Sequence, residues 1–166
     1  MPSRRGLVIS DEQMKLIDAV LERLRAVSGS QFAALVSTSG QPIAISPRDV
    51  RSDTLSLAAL AASSFAATRQ LAQILSEREF TLLFHEGKEA NLHVMQVTDH
   101  ILLLITFGRE TQVGRVRLYT SRALEVLKPA LESAENTNGE ERFVNREMSS
   151  EIDAAIDGLF SAQGEA

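Results

Sequence analysis

The strongest constraint on the fold comes from three consecutive apolar segments, FTLLFHE, LHVMQV and ILLLITF, within about residues 80–86, 90–97 and 100–107. Each segment carries apolar residues at both alternating positions, so a strand made from it has no face that suits water. The connections have the length of hairpin turns, which makes neighbouring strands antiparallel. The chain must therefore cover its sheet on both sides.

Helical segments supply that cover. A helix is predicted over residues 11–28, because Ser10 begins an S-x-x-Q capping pattern and apolar residues then recur at helical spacing. A second helix begins near Asp53, and Thr111 is placed to cap a third, which Pro129 should kink or end because proline lacks an amide donor. The segment QFAALVSTSGQPIAIS adds a hairpin. The predicted fold is α+β, a three-layer α/β/α sandwich around a five-stranded antiparallel sheet.

The pattern divides the chain into four parts: an N-terminal tail (1–10), a folded domain (11–134), a polar linker (135–148) and an acidic amphipathic segment (149–166). The linker lacks hydrophobic periodicity. The last segment is either a helix folded back on its own domain or a tethered peptide that docks into an apolar groove of a partner. Its apolar stripe consists of Ile152, Ile156, Leu159 and Phe160.

Composition excludes several classes of function. The net charge of −5 argues against a nucleic-acid partner, which favours a basic face. The absence of cysteine excludes disulfides and thiolate metal sites. The longest apolar run, ILLLITF, is far too short to span a membrane, and the first residues lack the apolar run of a signal peptide. We therefore expect a cytoplasmic protein.

The segment LFHEGKEANLHV contains the residue types of a zinc hydrolase, two histidines and two glutamates. A two-residue turn at Gly87 and Lys88 would pair Leu82 with His93 and direct His85 and His93 to opposite faces, where they cannot share an ion. A three-residue turn would place both on one face, still without a third ligand nearby. We therefore predict structural or surface histidines, with no metal and no cofactor.

Other catalytic patterns are absent as well. The TSG triplet lies on a hairpin turn and lacks the G-x-S-x-G context of a nucleophile, and GRETQVGRVRL lacks the lysine of a phosphate-binding loop. A local anion site at the start of the third helix remains open. The sequence predicts a protein without an active site of its own.

The second helix is unusual because it is apolar or small on nearly every side. One stripe is predicted to pack on the sheet. It consists of Leu57, Leu60, Ala67, Leu71 and Ile74. The remaining surface carries small residues and no charge between Asp53 and Arg69, where a solvent-exposed helix normally carries lysine and glutamate. This surface is either packed in a tight core or contacted by another protein chain.

Several stretches together resemble the roadblock/dynein light chain family, and especially its bacterial cell-polarity members. They are LVSTSGQPIA, LAALAASSFAATRQLA, EFTLLFHEG, TQVGRVRL and the distal IDAAIDGLF, so that the resemblance covers about residues 11–160. It implies a roadblock-like domain that forms a homodimer through the third strand, about residues 80–86, with the second helices side by side. It also implies a role in cell polarity and motility, with the protein concentrated at a cell pole.

The partner implied by the resemblance is a small Ras-like GTPase of the MglA type, bound as one copy on the twofold axis of the dimer. Small residues of the second helix make this contact in the family, whereas Arg69 and Gln70 depart from that pattern. The implied contact residues are Ala59, Ala62, Ser63, Ala66, Arg69 and Gln70. The C-terminal stripe is implied to bind the GTPase at a second place and to assist nucleotide exchange.

Two mechanisms of activation remain open. A donated arginine would stabilise charge on the transferring phosphoryl group, with Arg69, Arg109 and Arg115 as candidates by location. The resemblance instead implies that the dimer remodels the switch regions, so that the GTPase's own residues reach the nucleotide. The alternative function is a scaffold that binds a GTPase or a larger complex without accelerating hydrolysis.

Overall fold

The structure is a computed structural model that describes residues 7–49, 52–77, 81–136 and 147–161. Its helices and strands follow the predicted order. They are α1 (Asp11–Ser28), β1 (Phe32–Ser37), β2 (Pro42–Ser46), α2 (Ser52–Ile74), β3 (Leu82–His85), β4 (Ala90–Thr98), β5 (Ile101–Gly108), α3 (Val113–Asn136) and α4 (Glu147–Ser161). Within the described residues, no helix is both long and apolar enough to cross a membrane.

The sheet has the strand order β2-β1-β5-β4-β3, and every neighbouring pair is antiparallel. Its central strand β5 is buried on both faces. Ile101, Leu103 and Ile105 pack in the cluster formed with α1 and α3, whereas Leu102 and Leu104 pack under α2. The predicted three-layer α+β sandwich is confirmed, with α1 and α3 on one side and α2 on the other.

Local signals set the bounds of α1. The Ser10 hydroxyl accepts a hydrogen bond from the backbone N–H of Gln13, and the Gln13 side chain accepts one from the backbone of Ser10, which completes the predicted capping box. Gly29 ends the helix in the left-handed conformation, at a φ of 75°, which glycine adopts without strain. The predicted range 11–28 is confirmed.

The predicted cap of α3 at Thr111 is wrong, and of the two predicted effects of Pro129, a kink or an end, the end does not occur. The helix begins at Val113, because the Gln112 carbonyl accepts the first turn's hydrogen bonds, while the Thr111 hydroxyl instead donates to the Gly29 carbonyl over 2.9 Å. Pro129 lies inside the helix and does not end it. Pro129 faces solvent, where water can satisfy the carbonyl that lost its donor, and Leu131 beyond it remains buried in the core.

The β3–β4 hairpin has a different register from the predicted one. Phe84 pairs with His93, and His85 pairs with Leu92, which is a shift of two residues. The turn is longer than predicted because the Asn91 side chain accepts a hydrogen bond from the Gly87 N–H, and a side chain at Gly87 would collide with the Ala90 carbonyl. Since the shift is even, the prediction that His85 and His93 lie on opposite faces is confirmed.

Candidate functional site

The second helix packs on the sheet with four alanines and Phe65, and it exposes its large aliphatic side chains. The prediction that Leu60, Leu71 and Ile74 pack on the sheet is wrong, since Leu60 is 67% exposed and Ile74 is 77% exposed. The buried side consists of Ala58, Ala61, Ala62, Phe65 and Ala72. A helix that is apolar on every side gives no periodic signal to indicate which side is buried. The side rich in alanine packs on the sheet because small side chains allow the helix to approach closely.

The close approach of α2 is visible at the β1–β2 turn. A side-chain carbon at Gly40 would lie 2.8 Å from the Ala59 Cα atom, and Gly40 itself has a φ of 88°. Both the position and the backbone conformation therefore require glycine. This contact fixes the height of the N-terminal half of α2 above the sheet.

Five of the six residues predicted to contact a GTPase lie on the exposed side of α2. Ala59, Ser63, Ala66 and Gln70 follow one another at helical spacing and form a continuous exposed stripe, with Arg69 on its flank. Ala62 is 3% exposed and lies in the cluster against the sheet, so its side chain is not part of this outer surface. We call the exposed stripe the small-residue stripe.

Polarity on the small-residue stripe is low. The Ser63 hydroxyl donates to the Ala59 carbonyl of its own helix over 2.9 Å and so presents little free hydrogen-bonding capacity. Arg69 has no ion pair within the described part of the chain. The small-residue stripe therefore offers a smooth surface of short side chains, with a single charge at its edge.

A second stripe of large apolar side chains runs beside the first. At about 100° per residue, Leu60, Leu71 and Ile74 fall next to Ser63 and Gln70 on the helix. We call this set the leucine stripe. Most of the exposed large hydrophobic residues in the described chain lie on α2 or immediately after it, at Leu55, Leu60, Leu71, Ile74 and Leu75. Apolar surface concentrated in this way is typical of a surface that another protein covers.

The strand that follows α2 in the chain, β3, lies at an edge of the sheet. β3 is the last strand in the sheet order, so one of its edges has no partner among the described strands. Leu83 and Leu92 lie half-buried on the α2 side of this end of the sheet. An unpaired short edge is a ready template for pairing with another chain.

Arg109 and Arg115 lie apart from α2. The Arg115 side chain donates to the Val27 carbonyl over 2.9 Å, joining α3 to the end of α1. Arg109 lines a hollow of about 290 Å³ between the β3–β4 turn and the start of α3. Of the candidate arginines, only Arg69 lies beside the small-residue stripe.

The histidines are separated as predicted. His93 is fully buried on the α1/α3 side of β4, with the Phe84 ring edge-on at 6.5 Å, and neither of its ring nitrogens has a partner in the described part of the chain. Burial lowers the pKa of His93 to about 4, and the nearby positive charge of Arg117 contributes in the same direction. Among the described residues, no group of histidines and carboxylates could hold a metal ion.

The C-terminal helix α4 lies against α1 and α3. Ile156 and Phe160 are buried in the core cluster, and Leu159 is half-buried. Ile152 lies outside the residues whose side chains are described. The described part of α4 is thus folded back on its own domain, and its docking to a partner remains a prediction.

Comparison with known proteins gives a consistent result. The family model described as Roadblock/LC7 domain matches residues 16–107. MglB from Myxococcus xanthus is 33% identical, with a TM-score of 0.72, and the match covers 80% of this chain and 99% of that one. The gliding protein MglB from Thermus thermophilus is 29% identical, with a TM-score of 0.70, covering 77% and 97%.

Two further structures extend this comparison. A structure described as MglB with tetrameric arrangement is 30% identical, with a TM-score of 0.71, and covers 78% of this chain and 97% of its own. A Roadblock/LC7 domain from Streptomyces avermitilis, at 18% identity and a TM-score of 0.64, shares the fold. The comparison with curated protein sequences gives no significant match.

Proposed function

This chain belongs to the Roadblock/LC7 domain family, and on that premise we propose that it is a homodimeric activator of a small Ras-like GTPase of the MglA type in cell polarity and gliding motility. The observation that carries the proposal is the outer face of α2, where a small-residue stripe and a leucine stripe lie side by side without charge except at Arg69. The similarity to MglB structures over nearly their whole length supports it.

The leucine stripe and the open edge of β3 form the dimer interface. Pairing of β3 with the same strand of a second copy would satisfy its unpaired backbone groups. Leu60, Leu71 and Ile74 are solvent-exposed in the protomer, and each would gain about 1.5–3 kcal/mol on full burial. A twofold axis brings the same surface of both copies together, as an isologous interface requires.

The small-residue stripe receives the GTPase. Ala59, Ser63 and Ala66 let a partner backbone approach closely, and Gln70 with Arg69 adds polar contacts at the rim. Two α2 helices paired on the axis present one combined surface, so one GTPase binds per dimer. A second copy would have to occupy the same axis.

Activation proceeds by remodelling the switch regions of the GTPase. A partner that binds the catalytically competent switch conformation better than the others shifts the population toward it. The Arg115 guanidinium is already bound to the Val27 carbonyl, and Arg109 lies at the β3–β4 turn, away from α2. These positions argue against Arg109 and Arg115 as donated arginines, and we propose that Arg69 makes only a polar contact at the rim while the GTPase supplies its own arginine and glutamine.

The direct test is substitution of one small residue by a large charged one. Ala66→Arg should weaken binding of the GTP-loaded GTPase at least about a hundredfold, because a bulky cation replaces a close backbone contact. Ala26→Arg is the matched control, since Ala26 is an exposed alanine on α1, across the sheet. Binding is measured by titration calorimetry, with circular dichroism to confirm folding. Equal affinity in Ala66→Arg and the control would contradict the proposed site.

A scaffold that binds without activating is the second candidate. It is favoured by the chemistry of the surface, because Arg69 is the only charged side chain beside the small-residue stripe among the described residues of α2. A smooth apolar surface suffices for docking and does not by itself accelerate hydrolysis. Tight binding with an unchanged hydrolysis rate would favour the scaffold.

A further inference from the structure

The groove between α1 and α3 already holds an amphipathic helix, the C-terminal α4 of the same chain. Ile156 is 5% exposed and Phe160 is 4% exposed, and both join the main core cluster. The opposite side of α4 faces solvent, with Ala154, Ala155 and Ser161 exposed. The contact therefore uses one face of α4, at i, i+3 and i+4 spacing.

Specific contacts hold α4 in this groove. The Phe160 ring lies 6.2 Å from the Tyr119 ring of α3. The Arg122 guanidinium donates to the Leu159 carbonyl near the C-terminal end of α4 over 3.2 Å, where helix carbonyls lack internal partners. On the α1 side, Arg23 lies 3.8 Å from the Asp157 carboxylate. The groove thus matches α4 both in apolar shape and in the sign of its charges.

The side chains buried in this groove include those assigned above to docking on the GTPase. Ile156 and Phe160 cannot be presented to a partner while they are packed against α1 and α3. We propose that the α1/α3 groove is an intramolecular receptor that withholds the C-terminal helix in the free protein, so that the GTPase must compete with the groove for it. The second half of this inference, the competition, rests on the proposed function and on the predicted binding of the C-terminal stripe to the GTPase.

A quantitative consequence follows from the competition. When only a fraction of molecules has the helix released, the apparent affinity contributed by that helix falls to that fraction of its intrinsic value. Weakening the groove without changing α4 should therefore strengthen GTPase binding, by about threefold to tenfold. A change in α4 itself, such as Phe160→Ala, should weaken both the groove contact and the contribution to binding.

The test uses the full chain and spin labels. The sequence has no cysteine, so Ser121→Cys on α3 and Ser161→Cys on α4, both at exposed positions, give two unique labelling sites. The distance between the two spin labels is measured by pulsed electron paramagnetic resonance, with each labelled chain diluted in an excess of unlabelled chain. Dilution removes distances between copies and leaves those within one chain.

Three groove states are compared. The unchanged groove should give a narrow distribution of short distances between the labels. Tyr119→Ala and Arg122→Gln should each broaden this distribution and shift it to longer distances. Arg122→Gln removes the hydrogen bond to the Leu159 carbonyl without opening a cavity. Leu118→Ala is the matched control, because Leu118 is an exposed apolar neighbour of Tyr119.

The outcomes separate this inference from the proposed function. A long distance in the unchanged protein, or no response to either groove variant, would overturn the intramolecular receptor. Loss of the short distance on dilution would place the helix in a second copy and would overturn it as well. Addition of GTP-loaded MglA-type GTPase should lengthen the distance, whereas binding with the short distance retained would overturn the competition. Absence of any GTPase binding would remove the proposed function, and the groove variants would still decide the receptor.

Discussion

The two faces of the same sheet are covered in different ways. On the α1/α3 face, large side chains such as Leu103 and Ile105 are fully buried under two helices, and α4 closes the groove between them. On the α2 face, alanines lie against the sheet while Leu60 and Ile74 point into solvent. One face is completed within the chain, and the other has the composition of a surface that a second chain completes. We propose that this difference reserves the outer side of α2 for partner binding.

The largest predicted effect is the pH dependence of stability caused by His93, which is buried on the α1/α3 face. With the pKa of His93 lowered to about 4 in the folded state against 6.5 in the unfolded chain, the unfolded chain takes up a proton first as pH falls. The contribution of neutral, buried His93 to the free energy of unfolding is therefore fully present above pH 6.5. It is lost as the pH falls toward 4, which lowers the free energy of unfolding by about 3 kcal/mol. Denaturant unfolding at a series of pH values measures this loss.

Substitution of the histidine checks this assignment. His93→Leu should flatten the pH dependence of stability between pH 6.5 and pH 4. An equal slope in His93→Leu and the unchanged protein would show that the histidine is not the group responsible.

The next effect in size concerns dimerisation through the exposed side of α2. Leu60→Glu should raise the dissociation constant of the homodimer about a hundredfold, because the dimer loses the burial of two leucines, one per copy, each of which is still 67% exposed in the protomer. The isolated protomer should keep its fold, since Leu60 is largely exposed there. Sedimentation equilibrium gives the dissociation constant.

Leu118→Glu provides the comparison across the sheet. Leu118 is also an exposed leucine, but it lies on α3. It should leave dimerisation unchanged. If Leu118→Glu weakened the dimer and Leu60→Glu did not, the assignment of the two faces would be reversed.

The smallest effect concerns the arginines. Arg69→Ala on α2 and Arg115→Ala on α3 should each keep GTPase activation within about threefold of the unchanged protein, because neither donates a catalytic group. Single-turnover hydrolysis at saturating protein measures it. A loss on the order of a thousandfold in either variant would instead indicate a donated arginine finger.

Elements with strong local signals could be predicted from the sequence, and packing choices between equivalent faces could not. The range of α1 follows from Ser10, Gln13 and Gly29, which act within one or two turns. The predicted buried side of α2 is wrong because apolar residues surround the helix, so no sequence period separates Ala58 and Phe65, which pack on the sheet, from the exposed Leu60. The hairpin register depends on the Asn91 side chain, which composition does not reveal.

The candidate site could be predicted more by resemblance than by physical chemistry. Absence of charge on α2 indicates a covered surface, but not whether the sheet or a partner covers it. Burial in the structure separates Ala62 from Ala59 and Ala66. The position of α4 in the α1/α3 groove is one of two alternatives that the sequence leaves open, because an amphipathic helix fits its own domain and a partner equally well.

The most direct test of the account is single-turnover GTP hydrolysis by the MglA-type GTPase across a concentration series of this protein. A dimeric activator should give an acceleration that saturates at two chains per GTPase, as expected for one GTPase on the axis of a dimer. Tight binding without acceleration would contradict activation and indicate a scaffold, and no binding would contradict the proposed partner.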